Sequence, residues 1–213
     1  MSNSTTAQPG LKDRIVQPIN QGLRKLPAWP LYIVGALPPV WLFIAGLTGN
    51  LGVDPVKAME HQMGEWSLGL IIAGLCVTPL RRFAGINLLK FRRAIGLLAF
   101  FYILGHLLVW LILDVQIMSQ IIADIIKRPY VTVGMGAFVL LIPLAITSNN
   151  WSIRKLGPRW RKLHKLVYLA AILGGIHYIM LVKGFQIEPL IYTGVILGLL
   201  ALRLKGRAKA KGK

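Results

Sequence analysis

Several segments of the chain run for roughly 18 residues with almost no charged side chains, and they restrict the possible folds more than any other feature. A helix rises about 1.5 Å per residue, so a segment of this length crosses a hydrocarbon core about 30 Å thick. We predict six spans, at about 31–48, 66–80, 94–113, 130–147, 165–182 and 187–203. The second is short for a span, so it is either tilted less or begins before Trp66. The sequence therefore predicts an all-α integral membrane protein with a six-helix transmembrane bundle over residues 29–203.

The basic side chains are concentrated in alternate connections between these spans. Of the 25 Lys and Arg residues, 21 lie before the first span, after the second, after the fourth, or from Arg203 onward. The other connections hold four cations and six of the seven acids. Because cytoplasmic loops carry an excess of Lys and Arg, we expect both termini in the cytoplasm. They form an N-terminal segment 1–28, with a short surface helix from about residue 11, and a basic tail 204–213.

A net charge of +18 is also typical of nucleic-acid-binding proteins. Here, however, the Lys and Arg residues stand in short runs between apolar segments and do not follow one amphipathic face. We therefore expect membrane lipid, and not nucleic acid, to be the anionic partner of these side chains.

Two of the four histidines lie deep inside predicted spans: His106 in the third span and His177 in the fifth. An ionisable side chain at membrane depth is costly, which marks each as a candidate functional residue. The alternative is a neutral imidazole bonded to a neighbouring helix. His61 is expected in the first outer loop, as a solvated residue.

The depths of the two buried histidines match. The separation along the chain from Arg93 to His106 equals the separation from His164 to His177. Both spans run from inside to outside, so both histidines lie roughly 20 Å from the inner entry. We expect them to bind one haem iron from opposite sides, which leaves no open position and favours electron transfer. Cys76 is the single cysteine, which excludes a C-x-x-C-H attachment and predicts a non-covalent, b-type haem.

The role of His164, at the inner edge of the fifth span, stays open. The corresponding place on the third span holds Arg92 and Arg93 instead of a histidine. His164 is a candidate for a second haem with an unusual or absent partner, for contact with a propionate or another cofactor, or for an interfacial residue. On an ideal helix it lies about 140° from His177. Both would face the bundle interior only if the span bends, as Gly174–Gly175 would allow, or if both faces are buried.

Five short motifs, with the histidine of the third span, occur in order through most of the chain. They are G-V-D-P-V-K (52–57), R-P-Y-V-T-V-G (128–134), K-L-G-P-R-W-R-K-L-H-K-L-V-Y-L-A (155–170), G-I-H-Y (175–178) and P-L-I-Y-T-G (189–194). Over residues 29–203 the sequence resembles the MsrQ (YedZ) family, the haem-binding membrane subunits of periplasmic methionine-sulfoxide reductase systems. That family belongs to the ferric-reductase-like transmembrane group. Larger members of the group hold two stacked haems with four histidines on two helices, and this sequence lacks the fourth.

The resemblance implies site residues. It carries over His106, His164 and His177 as ligands of one or two b-type haems. Arg92, Arg93 and Arg161 are candidates for binding a haem propionate, a flavin phosphate or a lipid phosphate, although each is also a simple topology signal. Arg128, just outside the fourth span, is a candidate for an outer propionate, for a partner contact or for an interfacial anchor.

The resemblance also implies an electron path across the bacterial inner membrane. Electrons would come from the quinone pool or from a cytoplasmic NAD(P)H-dependent flavin reductase, with FMN as a further candidate cofactor. They would pass to a periplasmic molybdopterin enzyme that reduces methionine sulfoxide in oxidised proteins, so catalysis is expected in the partner subunit. The sequence has no G-x-G-x-x-G or P-loop motif.

Two other functions remain open. A stand-alone quinol or ferric reductase of the same fold would act without a molybdoenzyme. A haem-free small transporter or assembly factor would use the intramembrane histidines to relay protons or to bind a metal ion. The near absence of acids inside the spans, and of an obvious inverted repeat, counts against a proton-coupled transporter.

Overall fold

The computed structural model describes residues 11–182 and 184–211, and the side chains over 14–182 and 184–203. Residues 1–10 of the N-terminal segment lie outside the described residues. Within the described ranges the fold is all-α, without β-strands. The helices are α1 (Leu11–Lys25), α2 (Trp29–Leu47), α3 (Pro55–Pro79), α4 (Arg92–Leu108), α5 (Met118–Lys127), α6 (Pro129–Ile146), α7 (Asn150–Leu156), α8 (Pro158–Leu163), α9 (Leu166–Leu181) and α10 (Ile187–Lys211).

Five helical stretches in the described part of the chain are long and apolar enough to cross a membrane. They are Trp29–Leu47, Pro55–Ala84, Leu89–Val115, Pro129–Ile146 and Pro158–Leu181. They match the first five predicted spans, and the chain is a multi-pass membrane protein. The sixth predicted span begins where α10 begins, at Ile187. That α10 crosses the membrane, and that both termini are cytoplasmic, stay predictions.

The second span begins at Pro55, about three helical turns before the predicted position 66. Asp54 caps the helix, since its carboxylate accepts a hydrogen bond of 3.0 Å from the backbone N–H of Lys57. Pro55 fits the first turn because its φ is already helical. Charged residues in the first turns lower the hydropathy there, so an apolar run alone places the start too late. His61 consequently lies in α3, and its expected place in a loop is wrong.

The core lies where α3, α4, α6, α9 and α10 meet. Consecutive spans α3 and α4 pack against each other, and so do α6 and α9. The main cluster of buried side chains is apolar and includes Leu75, Ala99, Leu141, Ala171 and Ile196. Many large apolar side chains on the outside of the bundle are exposed, such as Leu37, Ile112 and Ile146. A surface of this kind is expected to face lipid.

The helix α1 confirms the short helix expected from residue 11. It is tied to the connection that follows α3 by three hydrogen bonds. Asn20 Nδ2 donates to the Gly85 carbonyl at 3.0 Å, the Asn87 N–H donates to Asn20 Oδ1 at 2.9 Å, and Lys90 Nζ donates to the Arg24 carbonyl at 2.9 Å. Helix α1 therefore lies at the same end of the bundle as the basic connection 80–91. The distribution of Lys and Arg predicts the same arrangement.

Candidate functional site

A cavity of about 510 Å³ lies among α3, α4, α6 and α9. This volume falls within the range of about 300–1,000 Å³ that is usual for cofactor sites. Its deeper wall is apolar, with Leu68, Ile71, Phe138, Leu141 and Ala170. Its opposite end, which we call the polar mouth, consists of Lys57, Glu60, His61, Glu65, Arg128 and Tyr178. The cavity thus suits a molecule with one apolar end and one polar end.

The cavity brings together the two histidines that were predicted to lie at matching depth. The ring centroids of His106, from α4, and His177, from α9, are 6.2 Å apart, and the ring planes are 81° from parallel. Both rings line the cavity. The two side chains come from helices that do not follow each other in the chain, so their proximity is a product of the tertiary fold.

Both imidazoles are held by a backbone carbonyl on a helix that carries no ligand. His106 Nδ1 lies 2.8 Å from the carbonyl oxygen of Glu60 on α3, and His177 Nδ1 lies 2.7 Å from that of Tyr130 on α6. Because a carbonyl only accepts, each Nδ1 carries the proton and donates it. The Nε2 of each ring keeps its lone pair and has no hydrogen bond to a described residue. Metal-binding histidines typically have this arrangement.

The distance between the two rings fits one metal atom between them. A metal–imidazole bond is about 2 Å long and the ring centroid lies about 1 Å beyond the nitrogen, so two opposed ligands have centroids roughly 6 Å apart. Within the described residues, no group of three or more His, Cys, Asp or Glu side chains could hold a free metal ion. A haem iron needs only two protein ligands, because the macrocycle supplies the others. The donor set therefore fits haem better than a free metal ion.

His164 lies outside this cavity, in the turn between α8 and α9. Its ring stacks on Trp160, with centroids 3.9 Å apart. Its Nε2 lies 3.0 Å from the hydroxyl of Thr147, which itself donates to the Pro143 carbonyl. The hydroxyl has one proton, so His164 Nε2–H is the donor in this contact. The metal-binding nitrogen would then be Nδ1, and the second-haem role of His164 stays a prediction.

The turn at His164 also interrupts the continuous helix that was assumed for its angular separation from His177. The uninterrupted helix begins at Leu166, so the interruption precedes Gly174–Gly175 by several residues. The angle of about 140° for an ideal helix therefore does not apply across this turn, and a bend at Gly174–Gly175 stays a prediction.

The three arginines predicted for anionic groups do not line the cavity. Arg93 Nη2 donates to the side-chain oxygen of Asn150 at 2.7 Å, and Arg92 and Arg161 lie at the same end of the bundle, both exposed. Their role at propionate, flavin or lipid phosphate stays a prediction. In the sequence, Arg203 counts only as one of the basic residues at the C-terminal end. In the structure its side chain is anchored within the bundle. Its Nη1 donates to the Tyr168 hydroxyl at 2.8 Å and its Nη2 to the Leu75 carbonyl at 2.6 Å.

The polar mouth contains residues that the sequence alone did not identify. Lys57 Nζ lies 3.2 Å from Glu60 and 2.6 Å from Asp114, and the Tyr178 hydroxyl donates to Glu65 at 3.0 Å. The sequence feature that could have revealed them is the Asp-Pro pair that caps the start of α3. Once the helix begins at residue 55, positions 57, 61 and 65 recur every fourth residue and fall on one face.

Arg128 stands on the other side of the mouth, at the start of α6, where its Nε lies 3.1 Å from Asp124. Lys57 and Arg128 are thus the two permanently cationic side chains that line the cavity in the described residues. A carboxylate at this end of the cavity would lie near both of them.

Comparison with known proteins agrees with the fold. Residues 63–175 match the family of the ferric reductase like transmembrane component. The protein-methionine-sulfoxide reductase heme-binding subunit MsrQ of Brucella anthropi is 54% identical over 177 residues, which are 83% of this chain and 80% of that protein. The MsrQ proteins of Brucella ovis and Brucella canis are each 52% identical over the same shares. No solved structure matches the chain significantly.

The family match includes His106 and His164 and ends two residues before His177, whereas the alignment with the relatives covers most of the chain. The multi-pass helical architecture and these matches agree with the resemblance read from the motifs. The chain therefore belongs to the MsrQ family, within the ferric-reductase-like transmembrane proteins.

Proposed function

We propose that the chain binds a b-type haem between His106 and His177 and uses it to pass electrons across the bacterial inner membrane. The observation that supports this proposal most strongly is the pair of neighbouring imidazoles. Each has its Nδ1 proton directed to a carbonyl and its Nε2 left for a metal. The names of the relatives, which describe a heme-binding subunit, support the same cofactor.

A bound haem supplies a one-electron iron couple. The protein's own contribution is to hold the iron and to keep other molecules away from it. His106 and His177 would both hold the iron and so leave no room for a substrate at the metal. The apolar wall would exclude water, and Lys57 and Arg128 are the cationic side chains that would lie near the propionates at the polar mouth. Such a site moves electrons without binding a substrate.

The direction of electron flow follows from the topology that the charge distribution predicts. With both termini cytoplasmic, the polar mouth faces the periplasm, so an electron would leave there toward a methionine-sulfoxide reductase partner. A molybdopterin subunit that repairs oxidised periplasmic proteins is the expected acceptor. The quinone pool or a cytoplasmic flavin reductase is the expected donor. His164, with Arg92, Arg93 and Arg161 nearby at the inner end, is the candidate site of electron entry, for a second haem or for FMN.

The first test is the reduced-minus-oxidised absorption spectrum of the detergent-purified full chain, with haem measured per chain. We expect a six-coordinate b-type spectrum. His106→Ala and His177→Ala should each remove this haem or leave it five-coordinate, because each supplies one axial ligand. His61→Ala is the control, since His61 lines the same cavity but lies exposed at its mouth.

Unchanged spectra in both ligand variants would refute the assignment of this pair. A chain without haem, even after expression with ample haem, would refute the function and favour the haem-free transporter. Electron transfer to ferric ions or from quinol at full rate without a periplasmic partner would favour the stand-alone reductase instead.

A further inference from the structure

The two helices that carry no ligand, α3 and α6, each place a glycine against an imidazole ring. A Cβ at Gly64 would lie 3.3 Å from Nδ1 and 3.4 Å from Cε1 of His106. A Cβ at Gly134 would lie only 2.8 Å from Nδ1 and 2.9 Å from Cε1 of His177. Neither ring could keep its position beside an alanine. The distances at Gly134 are shorter than the van der Waals contact of a carbon atom with nitrogen or carbon.

These glycines have a fixed relation to the carbonyls that hold the rings. Glu60 precedes Gly64 by four residues, and Tyr130 precedes Gly134 by four. In an α-helix the carbonyl of one residue accepts the N–H of the residue four positions later. Each carbonyl thus lies beside the glycine of the next turn, and its second lone pair is available for a histidine.

A side chain at the position of the glycine would block access to the second lone pair of that carbonyl. In a helix the Cα–Cβ bond is inclined toward the N-terminus, so a Cβ lies over the preceding turn, where the carbonyl is. At Gly64 and Gly134 the imidazole takes this place instead. The same construction occurs twice, once between α3 and α4 and once between α6 and α9.

We infer that Gly64 and Gly134 are positioning residues for the haem ligands. By lacking a Cβ, they let His106 and His177 reach the carbonyls of Glu60 and Tyr130. They thereby fix which ring nitrogen carries the proton and hold the ring planes nearly perpendicular. This inference rests on the proposed haem function, and it adds what determines the orientation of the ligands.

No other helical glycine whose surroundings the structure describes has an imidazole at this position. Gly69, in α3, has no neighbour within 4 Å of an added Cβ, and Gly136, in α6, has only a Leu173 methyl at an ordinary 3.8 Å. Both lie on the same helices as the proposed positioning glycines. Each therefore provides a matched control, because Gly→Ala there changes helix propensity equally but meets no imidazole.

The contact distances predict unequal effects. At Gly134 an alanine must displace the His177 ring, which breaks the hydrogen bond to Tyr130 or separates α6 from α9. At Gly64 the His106 ring needs to move only a few tenths of an ångström. We therefore expect Gly134→Ala to lower the haem content or to produce a five-coordinate, high-spin fraction. Gly64→Ala should keep a six-coordinate haem with altered ligand planes.

The experiment compares Gly64→Ala with Gly69→Ala, and Gly134→Ala with Gly136→Ala, in the purified full chain. The readouts are haem per chain, the absorption spectrum and the EPR spectrum of the oxidised protein. The g-values of low-spin ferric haem depend on the angle between the two imidazole planes, so EPR reports orientation independently of activity. Gly64→Ala keeps the test decisive if Gly134→Ala cannot be recovered from the membrane.

The inference is supported if both control variants keep the original EPR signal while Gly64→Ala shifts it and Gly134→Ala loses it or the haem. It is overturned if Gly64→Ala and Gly134→Ala match their controls in all three readouts. A chain that holds no haem before any substitution overturns the inference together with the proposed function. If the chain holds haem but the Gly64→Ala and Gly134→Ala variants behave like their controls, only the inference about the glycines is overturned.

Discussion

Removing the positive charge of Lys57 should lower the midpoint potential of the haem. Lys57 Nζ lies between the carboxylates of Glu60 and Asp114, so the three side chains together carry one negative charge. Lys57→Ala would leave the negative charges of Glu60 and Asp114 without this cation, and the backbone carbonyl of Glu60 also holds His106. An added electron on the iron would then be less stable, which lowers the potential.

The size of the shift follows from Coulomb's law. Lys57 lies three residues before Glu60, whose carbonyl holds His106, and we take its charge to be on the order of 10 Å from the cavity centre. A unit charge at that distance contributes about 1.7 kcal/mol at an effective dielectric constant of about 20, and about 0.4 kcal/mol in bulk water. For one electron these energies correspond to roughly 70 and 20 mV. Since the Lys57 side chain is 43% exposed, we expect a value between these limits.

The assay is a spectroelectrochemical titration of the purified protein at a pH of about 8, where carboxylates are ionised. Lys57→Arg is the matched control, because it keeps the charge at nearly the same place, and it should leave the potential within a few millivolts of the original. The shift in Lys57→Ala should also shrink at high salt, since the pair is partly exposed. Equal potentials for Lys57→Ala and Lys57→Arg at low salt would refute a haem in this cavity.

Two further predictions concern other parts of the chain. His164→Ala should leave the spectrum of the His106–His177 haem intact. If haem per chain exceeds one, this variant should lose only the second haem. Loss of all haem from it would contradict the separation of His164 from the His106–His177 cavity. Asp54→Ala should destabilise the start of α3 by about 1 kcal/mol, seen as a lower melting temperature in detergent, because it removes the cap of the Lys57 N–H. Asp54→Asn, which caps equally well, should melt like the original chain, and equal melting of the alanine variant would show that the cap contributes nothing.

The spans and the histidine pair could be predicted from the sequence, because local composition reveals the spans and the positions of two single residues reveal the pair. A long uncharged apolar run has few alternatives to a membrane helix. His106 and His177 could be placed at one depth by counting along helices of known rise. Hydropathy alone does not give the start of α3, because it treats Lys57 and Glu60 as solvated, whereas they neutralise each other and the helix continues through them.

Other parts of the site have no signal of this kind. The acceptors of His106 and His177 are backbone carbonyls of Glu60 and Tyr130, and every residue has one. Only the packing of α3 on α4 and of α6 on α9 selects these two. The turn at His164 likewise depends on α8 ending at Leu163, which an apolar count over 165–182 does not detect.

The site is built from two helix pairs of the same design, and this design suits a carrier of electrons. In each pair one helix supplies the imidazole and the other supplies the carbonyl and the glycine that fix it. An electron carrier works best when both oxidation states have nearly the same ligand geometry, because little rearrangement then accompanies transfer. Rings that are hydrogen-bonded to the backbone, and packed against it without an intervening side chain, have little freedom to rearrange. The same rigidity would hinder a transporter, which must change its ligand geometry to release its cargo.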